Sequence, residues 1–269
     1  RMQTRRLELI GLEERITPAT VSLVGNTVTL TMVAGETISD LHTVQTSANL
    51  ITITTTTSSA NTGSGSGLTV NTQDIVVDTS VLTGFDGISV IGQSGNVESV
   101  VVGLAGTSID LSSASGGANQ SVSIDLSQGG ADTLTVSGAI KTKGTGTVVL
   151  NSPTVTIAAA GDITTTTGAV AITGTTISTA GDVTTTSGAI GYTGAVALVG
   201  GNVATTSTLA GGNLSITGAL NLNALNFTAN QGLGNVNTFT GAVTGSGSLN
   251  LTGATVSVGT ITSAGAVSA

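Results

Sequence analysis

The chain has 269 residues with six Lys or Arg against fourteen Asp or Glu, a formal net charge of −8, only 7% charged residues, 1% aromatics and no cysteine. Residues 16–140 contain no Lys or Arg, which excludes nucleic-acid binding of the electrostatic kind, because phosphate neutralisation needs clustered cations. A disulfide scaffold is excluded by the missing cysteines, and no apolar run reaches the roughly eighteen residues of a membrane span. No apolar signal-peptide core is found near the start. Gly, Ser and Thr are abundant, yet 39% hydrophobic residues favour a buried core over disorder.

Residues 1–19 differ from everything that follows. Arg1, Arg5, Arg6 and Arg15 are four of the six basic residues, and they flank an apolar stripe of Leu7, Leu9, Ile10 and Leu12. The run from Leu7 to Ala19, LELIGLEERITPA, resembles the LExLExRxxPA segment near the N-terminus of many large secreted or surface proteins of planctomycetes and related bacteria, with departures in spacing at Gly11 and Ile16. The resemblance implies export, a bacterial cell-surface or extracellular location and no enzymatic activity. On the residues alone, the segment reads as a short amphipathic helix or strand with Leu7, Ile10 and Leu12 packed on the end of the downstream β structure. Leu7, Leu9, Ile10, Leu12 and Arg15 are the candidate assembly residues.

Residues 20–137 alternate apolar and polar side chains in short runs, among them Val28-Thr29-Leu30, Ile51-Thr52-Ile53, Ile109-Asp110-Leu111 and Leu134-Thr135-Val136. Period two predicts strands. Their spacing is irregular, so this β-rich region reads as degenerate solenoid, as a cap or as a separate small β domain. Ser58–Gly67, SSANTGSGSG, is the most linker-like stretch. His42 is the only histidine, and without a second His or a Cys it predicts no transition-metal site. Gly129-Gly130-Ala131-Asp132-Thr133-Leu134 is faintly similar to the calcium-binding nonapeptide GGxGxDxUx, which makes Asp132 a weak calcium candidate.

Residues 138–269 repeat. AGDITTTTGAVAITG at 160–174 and AGDVTTTSGAIGYTG at 180–194 agree at ten of fifteen positions, twenty residues apart, and a weaker copy starts at Gly201-Asn202-Val203. One such unit cannot bury its own apolar face and gains a core by stacking on the next. Three strand-sized apolar clusters fit in each unit, which predicts an all-β chain. The specific expectation is a right-handed parallel β-helix, a three-sided β-solenoid of about twenty residues per coil, less regular in its N-terminal half. Ile163, Val170, Ile172, Val183, Ile190, Leu198 and Val203 should point inward, with Ile172 and Tyr192 one coil apart on the same face. The Thr/Gly-rich coils resemble the stalks of filamentous-haemagglutinin-type adhesins.

Chemistry is sparse. Beyond Lys143 the only formal charges are Asp162 and Asp182, one coil apart at matching positions, with Asn202 expected in the same place in the next coil. They are weak calcium candidates, and the favoured role is a turn in which Asp bonds nearby backbone amides. Thr164, Thr165 and Thr166 should stack on Thr184, Thr185 and Thr186 and then on Ala204, Thr205 and Thr206, giving outward Thr rows of the kind ice-binding solenoids use. Asn119, Asn213, Asn226 and Asn250 start N-x-S/T triplets, which chance supplies in so polar a chain. A polysaccharide-active enzyme would need clustered acids and bases that are missing. The reading is therefore a non-catalytic structural protein with no cofactor, a filament subunit or adhesin stalk. Its partners would be copies of itself joined head to tail, and a cell-surface polysaccharide; an ice or calcium binder is the alternative, and after it a carbohydrate-active β-helix enzyme.

Overall fold

The computed structural model describes residues 19–57, 60–263 and 265–269, and over these the chain is all-β, with one short 3-10 turn at Leu104–Gly106. The strands fall into three ladders whose neighbours are parallel and in register. The first joins Thr27–Thr31, Gly87–Ile91, Ser121–Asp125 and Val148–Asn151, and continues through the first halves of Val170–Thr179 and Ile190–Leu198 to Leu214–Thr217, Val236–Phe239 and Thr255–Val258. The second joins the start of Thr37–Ser47 to Ser99–Val102, Thr133–Val136 and Thr154–Ile157, then the second halves of the same two long strands, then Leu220–Asn221, Val243–Gly245 and Ile261–Ser263. The third runs through Ile109–Asp110, Ile140–Lys141, Ile163–Thr164, Val183–Thr185, Val203–Ser207, Phe227–Gln231, Leu249–Thr252 and Val267–Ser268. This repeating strand structure is consistent with a β-solenoid.

Alternation along each strand puts every second side chain inside, and register places it on its counterpart in the next rung. Ile172 pairs with Tyr192, and Val148, Val170, Ile190 and Leu214 form one buried column. Ile163, Val170, Ile172, Val183, Ile190, Leu198 and Val203 are all buried. Each such side chain contributes about 1.5–3 kcal/mol of transfer free energy, and among the described residues the buried apolar cluster extends from Val21 to Leu251.

The long strands Val170–Thr179 and Ile190–Leu198 serve two ladders because each bends at a glycine. Pairing between them shifts between Thr173 and Thr176. Gly194 sits at φ 131°, and a Cβ there would lie 1.7 Å from the Gly174 carbonyl oxygen. Only glycine allows that bend with the coils so close.

Three expectations need correction. The spacing between rungs after residue 138 is not uniformly twenty: Val170 pairs with Ile190, but Val148 pairs with Val170 and Ile190 with Leu214; before residue 138 it is more irregular still, with Ile88 on Val122 and Val28 on Ile88. Corner loops absorb the extra length, and the longest excursion folds as antiparallel strands, with Leu50–Thr57 on Thr37–Ser47, Asp74–Asp78 on Leu50–Thr57, and Leu68–Val70 on Asp74–Asp78. The ladders cross residue 138 unbroken, Val122 pairing with Val148 and Ile109 with Ile140.

The linker-like stretch is built into the fold from Asn61 onward. Asn61 is buried and its Nδ2 donates to Thr55 Oγ1 at 2.7 Å, while Thr62–Ser64 pairs with Thr20–Ser22. Small polar residues there serve an edge strand.

The third repeat copy stacks two residues out of the expected register, with Val183 on Thr205 and Thr184 on Thr206. A shift of two keeps every side chain on its own face, so Val203, Thr205 and Ser207 all point inward. Alignment by sequence identity misses the slip because both registers satisfy the alternation.

Candidate functional site

The least ordinary constellation lies where the first ladder turns into the second in the early coils. Glu36, Glu98 and Asp132 each stand two residues before a buried apolar residue, Ile38, Val100 and Leu134, and so share the inward phase of their strands. Register stacks them, since Thr37 pairs with Ser99 and Ser99 with Thr133. All three carboxyl-bearing residues are buried, at 1%, 0% and 0% exposure.

Their surroundings differ. Glu36 Oε2 accepts the Val33 amide at 3.0 Å, and Asp132 Oδ1 accepts the Glu98 amide at 2.7 Å. No hydrogen bond of good geometry reaches the Glu98 carboxyl oxygens or Asp132 Oδ2, although the Gln93 amide and the Asp132 carboxyl lie near Glu98. Glu98 Oε2 faces Gly92 and lies beside the Leu126 side chain. Burial, reinforced by the neighbouring Asp132 carboxylate and opposed by the nearby Gln93 amide, pushes Glu98 up to about 7. The first cause is desolvation, which disfavours the charged form.

Asp162 and Asp182 are exposed and hold successive rungs together. Asp162 Oδ1 accepts the Asp182 amide at 2.9 Å, and Asp182 Oδ1 accepts the Ala204 amide at 2.7 Å. The expected turn role becomes a clip between coils, and the two-residue slip puts Ala204, not Asn202, opposite Asp182. Asn202 instead accepts the Asn226 amide, and Asn226 in turn accepts the Ser248 amide. Asn119 and Asn213 do the same for Thr145 and Val236, and Asn250 Oδ1 accepts the Ser268 hydroxyl, so all four N-x-S/T asparagines spend their side-chain oxygen on a neighbouring rung. Among the described residues no three His, Cys, Asp or Glu side chains gather as a metal shell.

His42 Nδ1 lies 3.0 Å from Asp40 Oδ2. The Thr107 hydroxyl donates to that same Asp40 carboxylate and to the Leu104 carbonyl. It therefore addresses the acid and not the imidazole, and the three do not form the nucleophile-base-acid order of a hydrolase. A shallow groove of about 370 Å³ crosses the corner at Ser127, Asn151, Thr173, Thr175 and Thr193, and its lining carries no charged side chain.

No family model, curated protein or solved structure matches this chain. No helix among the described residues is long and apolar enough to cross a membrane. The outward Thr rows are Thr164, Thr184 and Thr206, with Lys141 before them and Asn230 after, while Thr165, Thr185 and Thr205 are buried. The assembly residues Leu7, Leu9, Ile10, Leu12 and Arg15 lie outside the described residues. Glu36 and Glu98 were missed in the sequence, although an acid in phase with inward apolar residues, Glu-x-Val-x-Val and Asp-x-Leu-x-Val, is a legible signal.

Proposed function

We propose that the chain is a non-catalytic structural protein: a right-handed, three-sided parallel β-helix that serves as a cell-surface stalk or extracellular filament subunit of a bacterium. The observation that carries this reading is the continuity of the three ladders from Thr27 to Ser268, with polar side chains committed to clipping coil to coil. Such an array is stiff along its axis because each rung is bonded to both neighbours. Nine rungs at strand spacing correspond to a rod of about 40 Å.

Head-to-tail self-association is the preferred arrangement, with the apolar stripe of residues 7–12 and Arg15 meeting the far end of another copy. A heterologous contact of this kind propagates as a filament unless it closes into a ring. A cell-surface polysaccharide is the second expected partner. The uncharged, hydroxyl-lined groove at Thr173 and Thr193 suits a neutral glycan better than an ionic ligand.

Analytical ultracentrifugation with negative-stain microscopy tests the assembly. The intact chain should form concentration-dependent linear particles, and deletion of residues 1–16 should leave folded monomers. Monomeric intact protein at high concentration would refute self-assembly and leave a stalk within a longer polypeptide as the surviving form of the proposal.

A further inference from the structure

We propose that the corner built from Glu36, Glu98 and Asp132 is a pH-sensitive joint, locked while Glu98 is a neutral acid and loosened when it ionises. Three acids occupy one inward column on consecutive rungs, all buried. Two of them, Glu98 and Asp132, have carboxyl oxygens that no well-formed hydrogen bond reaches. A buried carboxylate without a counter-charge is strongly disfavoured, and two adjacent ones cannot both ionise cheaply.

The groups facing Glu98 decide which one keeps the proton. Asp132 from the following rung accepts the Glu98 amide through Oδ1. Glu98 Oε2 and the Leu126 side chain both lie against the open face of Gly92, and the charged groups acting on Glu98 are Asp132 and Glu36, both acids. The described ion pairs, His42 with Asp40 and Lys141 with Asp110, lie elsewhere. Glu98 is accordingly the protonated member, raised from 4.5 to about 7 by burial first and by Asp132 second.

The sign follows. An acid whose folded value is raised contributes stability that is fully present below about 4.5 and is lost as pH rises through about 7. Above that, the ionised Glu98 must stay buried beside the other two acids or the corner must open, exposing Gly92–Val97 and weakening Ser99–Val102 against Thr133–Val136. The later rungs contain no counterpart to Glu98 and should stay closed.

Two measurements on the full chain test this. Carbon-13 NMR of glutamate-labelled protein should show one carboxyl titrating near pH 7, absent in Glu98→Gln; glutamates that all titrate below pH 5 would overturn the proposal. Hydrogen exchange, corrected for intrinsic rates, should show protection of residues 99–102 and 133–136 falling by tenfold or more between pH 6 and pH 8, with residues 170–179 unchanged. In Glu98→Gln that fall should vanish, and an identical fall in the variant would contradict the joint. If millimolar calcium at pH 8 restored protection in the wild type and not in Glu98→Gln, the column would hold a cation in place of the proton, and the proposal would fail. Neither readout depends on self-assembly or surface location.

Discussion

At the scale of single residues, polar groups inside the stack are the main source of tension. Tyr192, the only tyrosine, is fully enclosed, and its hydroxyl has no partner. Burial, with Asp182 nearby, raises its ionisation well above the ordinary phenol value. A buried hydroxyl without a hydrogen bond costs about 1–3 kcal/mol, while the ring fills a column position between Ile172 and Ile216. Tyr192→Phe keeps the ring and removes the orphan oxygen, so denaturant unfolding followed by circular dichroism should show a gain of about 1 kcal/mol; a loss would mean that the hydroxyl is bonded in solution. Some interior polar atoms have partners, while others, such as Thr205 Oγ1 and Asn237 Oδ1, have none. The Thr165 and Thr185 hydroxyls donate to the Gly168 and Gly188 carbonyls at 2.6 and 2.7 Å, and Asn237 donates to the Thr252 carbonyl at 3.0 Å.

At the scale of elements, the repeat TTTTGA/TTTSGA describes one corner. Its second visible Thr turns inward and bonds the glycine carbonyl, and the glycine lets one coil lie on the next. A Cβ on Gly168 would stand 1.8 Å from the Gly146 carbonyl oxygen, and one on Gly188 would stand 1.9 Å from that of Gly168. Backbone must move to admit a methyl there, so Gly168→Ala should destabilise by about 1–3 kcal/mol or more, as overpacking does. Equal melting temperatures for variant and parent would show that the corner can relax. The strands and inward residues of this region were legible because alternation and the twenty-residue identity point to the same faces. The register of the third copy was not, since a slip of two satisfies the same alternation. The antiparallel strands between Leu50 and Asp78 were also hidden: Ile51-Thr52-Ile53 alternates like any other strand, and nothing local distinguishes a partner in the next coil from one across a hairpin. The acidic column was half legible. Asp132 drew notice for its neighbouring glycines, but its physical setting comes from Glu98, thirty-four residues away.

At the scale of the whole molecule, the proposed structural role requires that the rungs lie in linear order along a single axis, each one strand spacing from the last. The exposed column Lys141, Thr164, Thr184, Thr206, Asn230 and Thr252 samples six consecutive rungs of the third ladder, and the chain has no native cysteine to interfere with labelling. Pulsed electron–electron resonance between a spin label at Lys141→Cys and a second at Thr206→Cys, Asn230→Cys or Thr252→Cys measures that order directly. The label separations should grow by about 4.8 Å per rung, from about 14 to 19 to 24 Å. Distances that fail to increase along the series, or that spread broadly without a maximum, would contradict the stacked array and the structural role built on it.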